Sequence, residues 1–282
     1  MIVVVSPGPL TTVQDLGRAG LAHLGVPGSG AVDRAALRAA NRLVGNADGA
    51  AVLETTLVGP ELLLEADAVV AVTGGRCGVS LGEQVLEVGV AVTARRGRTL
   101  RLGPVERGVR SYLAVRGGFD VPPVLGSRST CTLSGLGSPP LSAGDRLAIG
   151  SEVEAAVADA PELLPEILDE PVLRLLPGPR DDAFTADALR TLTSSAYAVS
   201  PSSDRSGVRL EGPALQRLSD DELPSEGVVP GAVQVPPDGQ PIVFLANCPT
   251  TGGYPVIGVV LPQDLPHAAQ ARPGTRLRFR TG

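Results

Sequence analysis

The chain of 282 residues contains no lysine and no tryptophan, and aromatic residues make up only 2% of it. Without lysine it has no side-chain amine to form a Schiff base with a carbonyl substrate, and no lysine ammonium group to place on a phosphate. With so few aromatic side chains it offers no stacking platform for nucleotide bases. All 24 basic residues are arginines, so any recognition of an anion by a basic side chain must use guanidinium groups.

Histidine and cysteine are also scarce, with two and three residues. His23 and His267 are far apart, and no HExxH, GxSxG or GxxxxGK[ST] pattern occurs. These absences argue against a zinc protease, a serine triad and a Walker nucleotide site. The cysteines Cys77, Cys131 and Cys248 form no CxxC pair, so we expect reduced thiols and no metal site.

The chain is acidic, with a net charge of −6 and a pI near 5.1. This balance disfavours nucleic acid or an anionic membrane surface as a partner. The apolar first residues lack the basic flank of a signal peptide, and no apolar run reaches membrane-spanning length. We therefore expect a cytoplasmic protein.

Glycine and proline are abundant, with 35 and 26 residues, and together with many valines they are typical of short strands joined by tight turns. The composition predicts a mainly β fold with a few short helices, including one near 34–45 that Asp33 caps. Residues 152–170 hold seven acidic residues and no basic one, which predicts a linker. It would separate an N-terminal β-rich subdomain at 1–151 from a C-terminal one at 171–282.

Finer expectations concern individual elements. Residues 10–32 are polar and glycine-rich and predict a loop, and Asp181 or Asp182 is expected to cap a helix that ends near Thr193. Short apolar runs predict separate strands at 68–73, 79–81, 99–102 and 111–115. The GGRCG sequence at 74–78 follows a strand, but a dinucleotide-binding turn would need a helix after it, so that interpretation is disfavoured.

Two loop clusters in the first half combine arginine with carboxylate or hydroxyl groups. Asp15 lies three residues from Arg18, a spacing that favours a fixed pair orienting either group; simple bracing of the loop is the alternative. Arg128 is surrounded by hydroxyl residues, including Ser129, which suits recognition of a carboxylate or phosphate. Capping of a turn by these hydroxyls is the alternative.

Two further clusters lie in the second half. Residues 202–209 contain Arg205 beside an aspartate and Arg209 four residues on. A predicted strand at 242–246 opens onto Thr250, Thr251, Gly252, Gly253 and Tyr254, and such a loop can present N–H groups to a small anion or carbonyl. An ordinary tight turn is the alternative. Cys248 is interpreted as a packed thiol because no histidine is near in the sequence.

These clusters lie within six ordered motifs by which the chain resembles the biotin-dependent carboxyltransferase-domain family, also called the allophanate hydrolase subunit 2 or KipA-like family. The motifs are TTVQDLGRAG (11–20), GVPGSGAVDRAALRAANRLVGN (25–46), LETTLVGPEL (53–62), RGGFDVPPVLGSRST (116–130), SDRSGVRLEGP (203–213) and QVPPDGQPI…TTGGYPVIGVV (234–260).

The resemblance implies two cyclophilin-like β-barrel subdomains and a partner of the subunit 1 or KipI-like type. Bacterial stand-alone members are mostly the C subunit of an ATP-dependent 5-oxoprolinase, which opens 5-oxoproline to glutamate together with subunits A and B. No cofactor is then expected on this chain alone, and ATP is used by the assembled complex. Two alternatives stay open. One is a KipA-like protein that antagonises a KipI-like kinase inhibitor, and the other is the carboxyltransferase component of a urea carboxylase-type system, which needs biotin.

The site residues follow from these motifs. The predicted catalytic positions are Asp15, Arg18, Thr250 and Thr251, with Asp15 and Arg18 holding the loop geometry. The predicted substrate-binding positions are Arg128, Ser129, Arg205, Arg209, Gly252, Gly253 and Tyr254. The chain departs from the family pattern at Val256, where lysine is usual, and at 247–249, where aspartate and glutamine are usual. We expect the family's chemistry to be most altered there.

Overall fold

The computed structural model describes residues 1–162, 164–219 and 223–282. Within these residues there are eighteen strands and three α-helices. The strands are β1 (Ile2–Ser6), β2 (Thr11–Gln14), β3 (Val52–Thr56), β4 (Glu61–Leu64), β5 (Ala68–Leu81), β6 (Gln84–Leu86), β7 (Ala91–Ala94), β8 (Thr99–Val115), β9 (Arg146–Leu147), β10 (Val172–Pro177), β11 (Ala196–Val199), β12 (Gly207–Glu211), β13 (Glu226–Gly227), β14 (Ala232–Gln234), β15 (Ile242–Phe244), β16 (Thr251–Gly252), β17 (Val256–Val260) and β18 (Arg276–Thr281). The helices are α1 (Arg34–Val44), α2 (Ala186–Ser194) and α3 (Leu265–Ala269).

The chain divides into two compact units. The first comprises Met1–Arg18 and Ser29–Ile167, and the second comprises Ala19–Gly28 and Leu168–Gly282. The first contains a nine-stranded sheet that forms a half-barrel, and the second contains a closed seven-stranded barrel. The prediction of a mainly β protein built from two barrel-like subdomains is confirmed.

The sheet of the first unit runs in the order β2-β3-β8-β4-β1-β9, and β5 pairs with β6, β7 and β8. Its inner face carries an aliphatic core that includes Leu53, Leu62, Leu100 and Leu113, all essentially inaccessible to solvent. Burial of such leucines contributes about 1.5–3 kcal/mol each, so aliphatic side chains supply most of this core, to which Phe119 adds an aromatic ring.

The long strands β5 and β8 were each predicted as two separate strands, and this was wrong. Glycines in the sequence look like strand ends, but the register only shifts at bulges between Gly74 and Val79, and pairing with β8 continues on both sides. A bulge lets one strand carry an extra residue and bend without ending. The 74–78 segment therefore lies inside β5 and is not followed by a helix. This agrees with the prediction that it is not a dinucleotide-binding turn.

Helix α1 lies where its pattern predicts. The carboxylate of Asp33 accepts a hydrogen bond from the backbone N–H of Ala36 at 3.0 Å, and Gly45 ends the helix in the left-handed conformation. The apolar face packs with Tyr112 of β8 and Ala71 of β5 in a second cluster of buried side chains. The helix thus covers the outer face of the sheet.

The expectation of a loop over 10–32 was wrong for its first residues. Thr11–Gln14 form β2, which pairs antiparallel with β3, and all four residues are buried. A strand buried on both faces normally reads as an apolar run, whereas here three of the four side chains are polar. The sequence signal of a strand was therefore hidden.

No described residue between 152 and 170 belongs to a helix or strand. The segment nevertheless lies along the first unit as far as Ile167: the backbone N–H groups of Glu154 and Ala155 donate to Gly45, and Glu162 forms an ion pair with Arg42. One acidic side chain of the segment, that of Glu162, is thus paired with an arginine of that unit. The structure assigns residues up to Ile167 to the first unit and Leu168 onward to the second.

The barrel of the second unit has the closed order β10-β17-β14-β15-β12-β11-β18, and the parallel pairing of β10 with β18 completes the ring. Leu175, Val233, Val243 and Leu277 lie in its interior with no exposed surface. Tyr197 and Phe279 meet edge to face, with ring centroids 6.2 Å apart. Closure leaves no free edge within this ring of strands.

The helix predicted after Asp181 begins later than expected. Asp181–Ala183 form a single 3₁₀ turn, and α2 starts only after Thr185. Between them Phe184 is buried and makes an antiparallel bridge with Arg217. Because the buried Phe184 has an extended backbone, the helix begins only after it, and Asp181 and Asp182 lie in the preceding 3₁₀ turn.

Candidate functional site

The carboxylate of Asp15 binds the loop that carries Arg128. One oxygen, Oδ1, accepts hydrogen bonds from the backbone N–H of Gly17 at 2.8 Å and the hydroxyl of Ser127 at 2.6 Å. The other, Oδ2, accepts from the backbone N–H of Arg128 at 2.6 Å. Hydrogen bonds to an ionised acceptor are roughly twice as strong as neutral ones, so Asp15 fixes the backbone next to Arg128.

Arg18 binds the same loop through its guanidinium group. Its Nε donates to the carbonyl of Val124 at 2.9 Å, Nη1 donates to the hydroxyl of Ser129 at 2.9 Å, and Nη2 donates to the carbonyl of Ser129 at 2.7 Å. Only 4% of Arg18 is exposed. All three guanidinium nitrogens are thus engaged by one loop, which we call the 124–130 loop.

Among the described residues Asp15 and Arg18 form no ion pair with each other; each binds the 124–130 loop instead. The expectation that they hold loop geometry agrees with these contacts, although their direct pairing was not found. A catalytic role for either residue stays a prediction, because the contacts found are those of positioning residues. Ser129, predicted to bind substrate, is fully buried and engaged by Arg18.

A second layer of buried polar groups supports this loop. Gln14 is fully buried, and its Nε2 donates to the hydroxyl of Thr12 at 2.9 Å and to the carbonyl of Thr130 at 3.0 Å. The hydroxyl of Ser29 donates to the same carbonyl at 3.0 Å. Three polar residues from two segments thus meet at the end of the loop.

Sequence reasoning missed the buried pair of Glu54 and Tyr112. The Oε2 atom of Glu54 accepts from the Tyr112 hydroxyl at 2.8 Å and from the backbone N–H of Val32 at 2.9 Å, while the Tyr112 oxygen accepts from the N–H of Asp33 at 2.7 Å. Desolvation by burial raises the pKa of Tyr112 well above its ordinary value, which keeps the phenol protonated. The sequence signal that could have indicated this pair is Glu54 itself, an acidic residue within the apolar strand 52–56.

A cavity of about 470 Å³ opens beside Arg128 in the first unit. Its walls come from residues within 47–51, from 117–120 and from 149–154. At its rim Nη2 of Arg128 lies 3.3 Å from Oδ1 of Asp120, and the two side chains are 41% and 59% exposed. The volume is within the range of small-molecule sites, and Arg128 is accessible to a ligand there.

Glycine backbone shapes one wall of this cavity. A Cβ atom on Gly117 would lie 2.0 Å from the carbonyl oxygen of Gly150, and one on Gly150 would lie 2.4 Å from that of Gly117. Gly117 also has a φ of 92°, a conformation that residues with a side chain rarely adopt. The close crossing of these two segments therefore requires glycine.

In the second unit the two predicted arginines have different environments. Arg205 is only 3% exposed, and burial lowers its pKa to about 9. Its Nη2 lies 3.5 Å from Oδ1 of Asn247. Arg209 lies on β12 with an exposed side chain. One guanidinium is enclosed and the other faces solvent, so the structure does not bring them together as a clamp.

The Thr250–Tyr254 segment forms a short hairpin-like edge. Thr251–Gly252 pair with Glu226–Gly227 in a separate two-stranded sheet, and the carbonyl of Tyr254 accepts a hydrogen bond from Nε2 of the buried Gln234 at 2.9 Å. A Cβ atom on Gly252 would lie 2.5 Å from that nitrogen. Thr251 is exposed, and Thr250, Gly252, Gly253 and Tyr254 are half-buried.

Two of the residues that depart from the family pattern, Cys248 and Val256, share one environment. Cys248 and Val256 are 6% and 8% exposed and belong to one apolar cluster with Ala232 and Phe244. Burial raises the pKa of Cys248 to about 11, so its thiol is protonated near neutral pH and is a poor nucleophile. This agrees with the interpretation of a packed thiol. The apolar cluster occupies a place where a lysine ammonium would be desolvated.

The structure thus distributes the predicted site residues over both units. Asp15, Arg18, Arg128 and Ser129 come together in the first. Arg205, Arg209 and the 250–254 segment belong to the second. Within the part of the chain that the structure describes, no group of three or more histidine, cysteine, aspartate or glutamate residues is arranged to hold a metal ion.

No α-helix among the described residues is long and apolar enough to cross a membrane.

Known proteins resemble the chain in both sequence and fold. The chain is 40% identical to the C subunit of 5-oxoprolinase from Escherichia coli (strain K12), over 99% of the chain and 90% of that protein. It is 34% identical to the urea amidolyase of Lachancea kluyveri, over 98% of the chain but only 16% of that protein.

Two solved structures have the same fold. The crystal structure of TTHA0988 matches with a TM-score of 0.91 and 39% identity, over 99% of the chain and 55% of that protein. The K. lactis urea amidolyase matches with a TM-score of 0.93 and 31% identity, over 99% of the chain and 18% of that protein. The chain therefore spans about half of the first structure and a smaller part of the second.

The family described as "Carboxyltransferase domain, subdomain A and B" matches residues 24–281. That span includes the closed barrel and most of the half-barrel sheet, and it agrees with the fold of the urea amidolyase structure. The chain belongs to the family of carboxyltransferase domains with subdomains A and B.

Proposed function

We propose that this chain is the C subunit of an ATP-dependent 5-oxoprolinase, which converts 5-oxoproline to glutamate together with subunits A and B. The observation that carries the proposal is the 40% identity to the C subunit of the Escherichia coli 5-oxoprolinase, which extends over 99% of the chain and 90% of that relative. A similar relative of the same name from Haemophilus influenzae is 34% identical over 99% of the chain.

The geometry supports a binding role that needs partner subunits for chemistry. Asp15 and Arg18 are occupied with the 124–130 loop, and Cys248 is a buried, protonated thiol. In this proposal Arg128 is the residue that meets the substrate carboxylate, because its side chain is 41% exposed at the mouth of a cavity. Asp15 and Arg18 position it, and subunits A and B supply ATP-dependent activation.

Reconstitution tests this proposal. The chain is co-purified with candidate subunits A and B, and glutamate formation from 5-oxoproline is followed with and without ATP. We expect turnover only when all three subunits and ATP are present. A complex that assembles and shows no ATP-dependent turnover would overturn the proposal.

A matched pair of variants locates the substrate carboxylate. Arg128→Gln removes the guanidinium, and we expect a rise in KM for 5-oxoproline of about tenfold or more, since a charge-assisted hydrogen bond contributes about 1.5–3 kcal/mol. Arg101→Gln is the control because Arg101 forms a similar exposed ion pair, with Glu61 at 3.0 Å, on the same unit. Equal kinetics for the two variants would exclude Arg128 from the substrate site.

The urea amidolyase relatives favour a second candidate, a carboxyltransferase component that moves a carboxyl group from carboxybiotin. The chain matches urea amidolyases from two yeasts over 98% and 99% of its length. This chain has no lysine to which biotin could be attached, so the candidate requires a separate biotin carrier. Carboxyl transfer from free carboxybiotin to urea, measured with a matching partner protein, separates it from the first proposal.

A further inference from the structure

The cavity beside Arg128 carries charges of both signs. Arg128 is the one basic residue among its described lining residues, and Asp120, Glu152 and Glu154 are the acidic ones. The only hydrogen bond that the Arg128 side chain makes to another described residue is the one to Asp120 at 3.3 Å. A guanidinium has five N–H donors, so most of the hydrogen-bonding capacity of Arg128 is not used within the chain.

The balance of charge favours a zwitterionic ligand over one that carries only negative charge. Three carboxylates against one guanidinium give the lining a net negative charge, and Glu152 and Glu154 are exposed on the segment that follows β9. A ligand with a carboxylate alone would gain from Arg128 and lose from the glutamates. A ligand with a carboxylate and an ammonium group would gain from both, because each end meets the opposite charge.

The wall shape adds a second constraint. The crossing of Gly117 and Gly150 leaves no room for a Cβ atom on either residue, and the neighbouring Gly118 has a φ of 72°. Phe119, which lines the cavity, is 1% exposed. The wall is thus made of close-packed backbone where the 117–120 and 149–154 segments cross, and these two segments carry Asp120, Glu152 and Glu154.

We propose that this cavity binds a free α-amino acid in its zwitterionic form, and the assignment of that amino acid as L-glutamate rests on the proposed function. In 5-oxoproline the nitrogen belongs to a neutral lactam, whereas in glutamate it is a free ammonium group. Addition of water across the C–N bond of the lactam creates this ammonium group, which Glu152 and Glu154 recognise, and a γ-carboxylate, which in this proposal extends from the mouth of the cavity into solvent. Arg128 would meet the α-carboxylate of substrate and product alike, and only the product adds a contact between its ammonium group and the glutamates, so the cavity binds the product more tightly than the substrate.

Binding to the full chain, without ATP or partner subunits, tests the inference. Isothermal titration is performed with L-glutamate, with L-5-oxoproline and with N-acetyl-L-glutamate, which keeps both carboxylates but has a neutral nitrogen. We expect saturable binding of L-glutamate at least tenfold tighter than that of either other ligand, a difference of about 1.4 kcal/mol. Absence of saturable glutamate binding, or equal affinity for all three ligands, would overturn the inference.

Variants of the residues that contact the carboxylate end and the ammonium end of the ligand test these two contacts separately. Arg128→Gln should weaken L-glutamate binding about tenfold, and Glu152→Gln with Glu154→Gln should abolish the preference over N-acetyl-L-glutamate. Arg101→Gln, far from the lining residues in sequence and paired with Glu61, should bind as the unmodified chain does. Circular dichroism checks that each variant folds, and the exposed glutamate variants carry the test if Arg128→Gln does not fold.

The outcome of the glutamate-binding test does not depend on the outcome of the 5-oxoprolinase assay, so each proposal can fail without the other. A complex that turns over 5-oxoproline while the isolated chain fails to bind glutamate would overturn this inference and leave the proposed function standing. Specific glutamate binding by a chain whose assembled complex has no turnover would leave the cavity assignment standing and overturn the proposed function.

Discussion

Arg205 and Arg209 lie four residues apart, yet one is buried in the second unit and the other is exposed on β12. Both were predicted from sequence as carboxylate ligands, because the spacing of charged residues does not report which side of a strand is enclosed. Burial of a guanidinium is costly unless polar groups surround it. The buried residue therefore bears on stability, and the exposed one is available to ligands.

We expect Arg205→Ala to lower the free energy of unfolding by about 2–4 kcal/mol, because it removes a large buried side chain and its contact with Asn247. Arg209→Ala should change it by less than about 0.5 kcal/mol, as exposed substitutions usually do. Urea denaturation followed by circular dichroism measures both. Equal stability of the two variants would contradict the burial of Arg205.

The thiol of Cys248 provides a prediction about reactivity. Since burial raises its pKa to about 11, we expect almost no thiolate at pH 7.5 and labelling by Ellman's reagent only after unfolding. Three thiols should react in denaturant, and mass mapping after brief labelling of the native protein should find Cys248 unmodified. Rapid modification of Cys248 at neutral pH would show that it is more accessible than its burial implies.

At the scale of elements, the crossing of Gly117 and Gly150 determines how two segments of the first unit pack. Gly117→Ala should destabilise the chain by about 3 kcal/mol or more, because it adds both backbone strain and a clash with the carbonyl of Gly150. Gly126→Ala is the matched control, with a φ of 79° and no atom within 4 Å of the added Cβ. It should cost only about 1–2 kcal/mol, the strain of a residue with a side chain in the left-handed conformation. Thermal unfolding of the two variants separates strain from steric overlap.

Asp264 connects β10 to the start of α3. Its carboxylate accepts from the backbone N–H of Arg174 at 2.7 Å and from Nε and Nη2 of that side chain at 2.9 and 2.7 Å. The side-chain hydrogen bonds of Arg174 lower the pKa of Asp264 below its ordinary value of 3.8. The folded state thus holds its proton less tightly than the unfolded state does.

The sign of the pH dependence follows from this shift. The stabilisation by Asp264 is fully present above pH 3.8 and is lost as the pH falls through the lower pKa of the folded state. We expect Asp264→Asn to cost about 1.5–3 kcal/mol at pH 7 and progressively less below pH 3.8. Asp187→Asn, in an exposed ion pair with Arg190, should show little effect at either pH. Acid and urea titrations of both variants measure the difference.

The elements that were predicted correctly from the sequence are determined by residues that lie close together along the chain. Helix α1 has a capping aspartate, an apolar face and a terminal glycine within thirteen residues, so all of its signals are local. The prediction failed at β2 and at the middle of β5 and β8, where pairing with distant strands decides the structure. Polar Thr12 and Gln14 belong to a strand only because Glu54, Thr130 and their neighbours surround them.

The candidate site also combines local features, which the sequence indicates, with long-range contacts, which it does not. The sequence identified the motifs that contain Asp15, Arg18 and Arg128, but it paired the first two with each other instead of with the 124–130 loop. That loop is more than 100 positions away along the chain, and no local spacing reports such contacts. The cavity beside Arg128 was not predicted at all, because its walls come from three separate segments.

At the scale of the whole molecule, all seven strands of the closed barrel lie between Val172 and Thr281. We expect a fragment of residues 168–282 to fold into a β-rich species that unfolds cooperatively, because a closed barrel contains its own core. Circular dichroism during urea titration measures this. A fragment without a cooperative transition would show that the barrel depends on residues outside that range.

A peptide of residues 19–28 provides a matched test, since that segment groups with the second unit although it precedes most of the first. Added to the fragment, it should raise the midpoint of unfolding, and a scrambled peptide of the same composition should not. Binding that stabilises only the native state raises its apparent stability in this way.

This placement of residues 19–28 has a consequence for synthesis on the ribosome. The segment emerges early, but the rest of its unit begins only at Leu168, so roughly 140 further residues must be translated first. At about 5–20 residues per second, the nascent segment waits roughly 7–28 seconds without the unit to which it belongs. During that interval residues 29–167 become available, so the half-barrel can form while the contacts of residues 19–28 with the rest of their own unit do not yet exist.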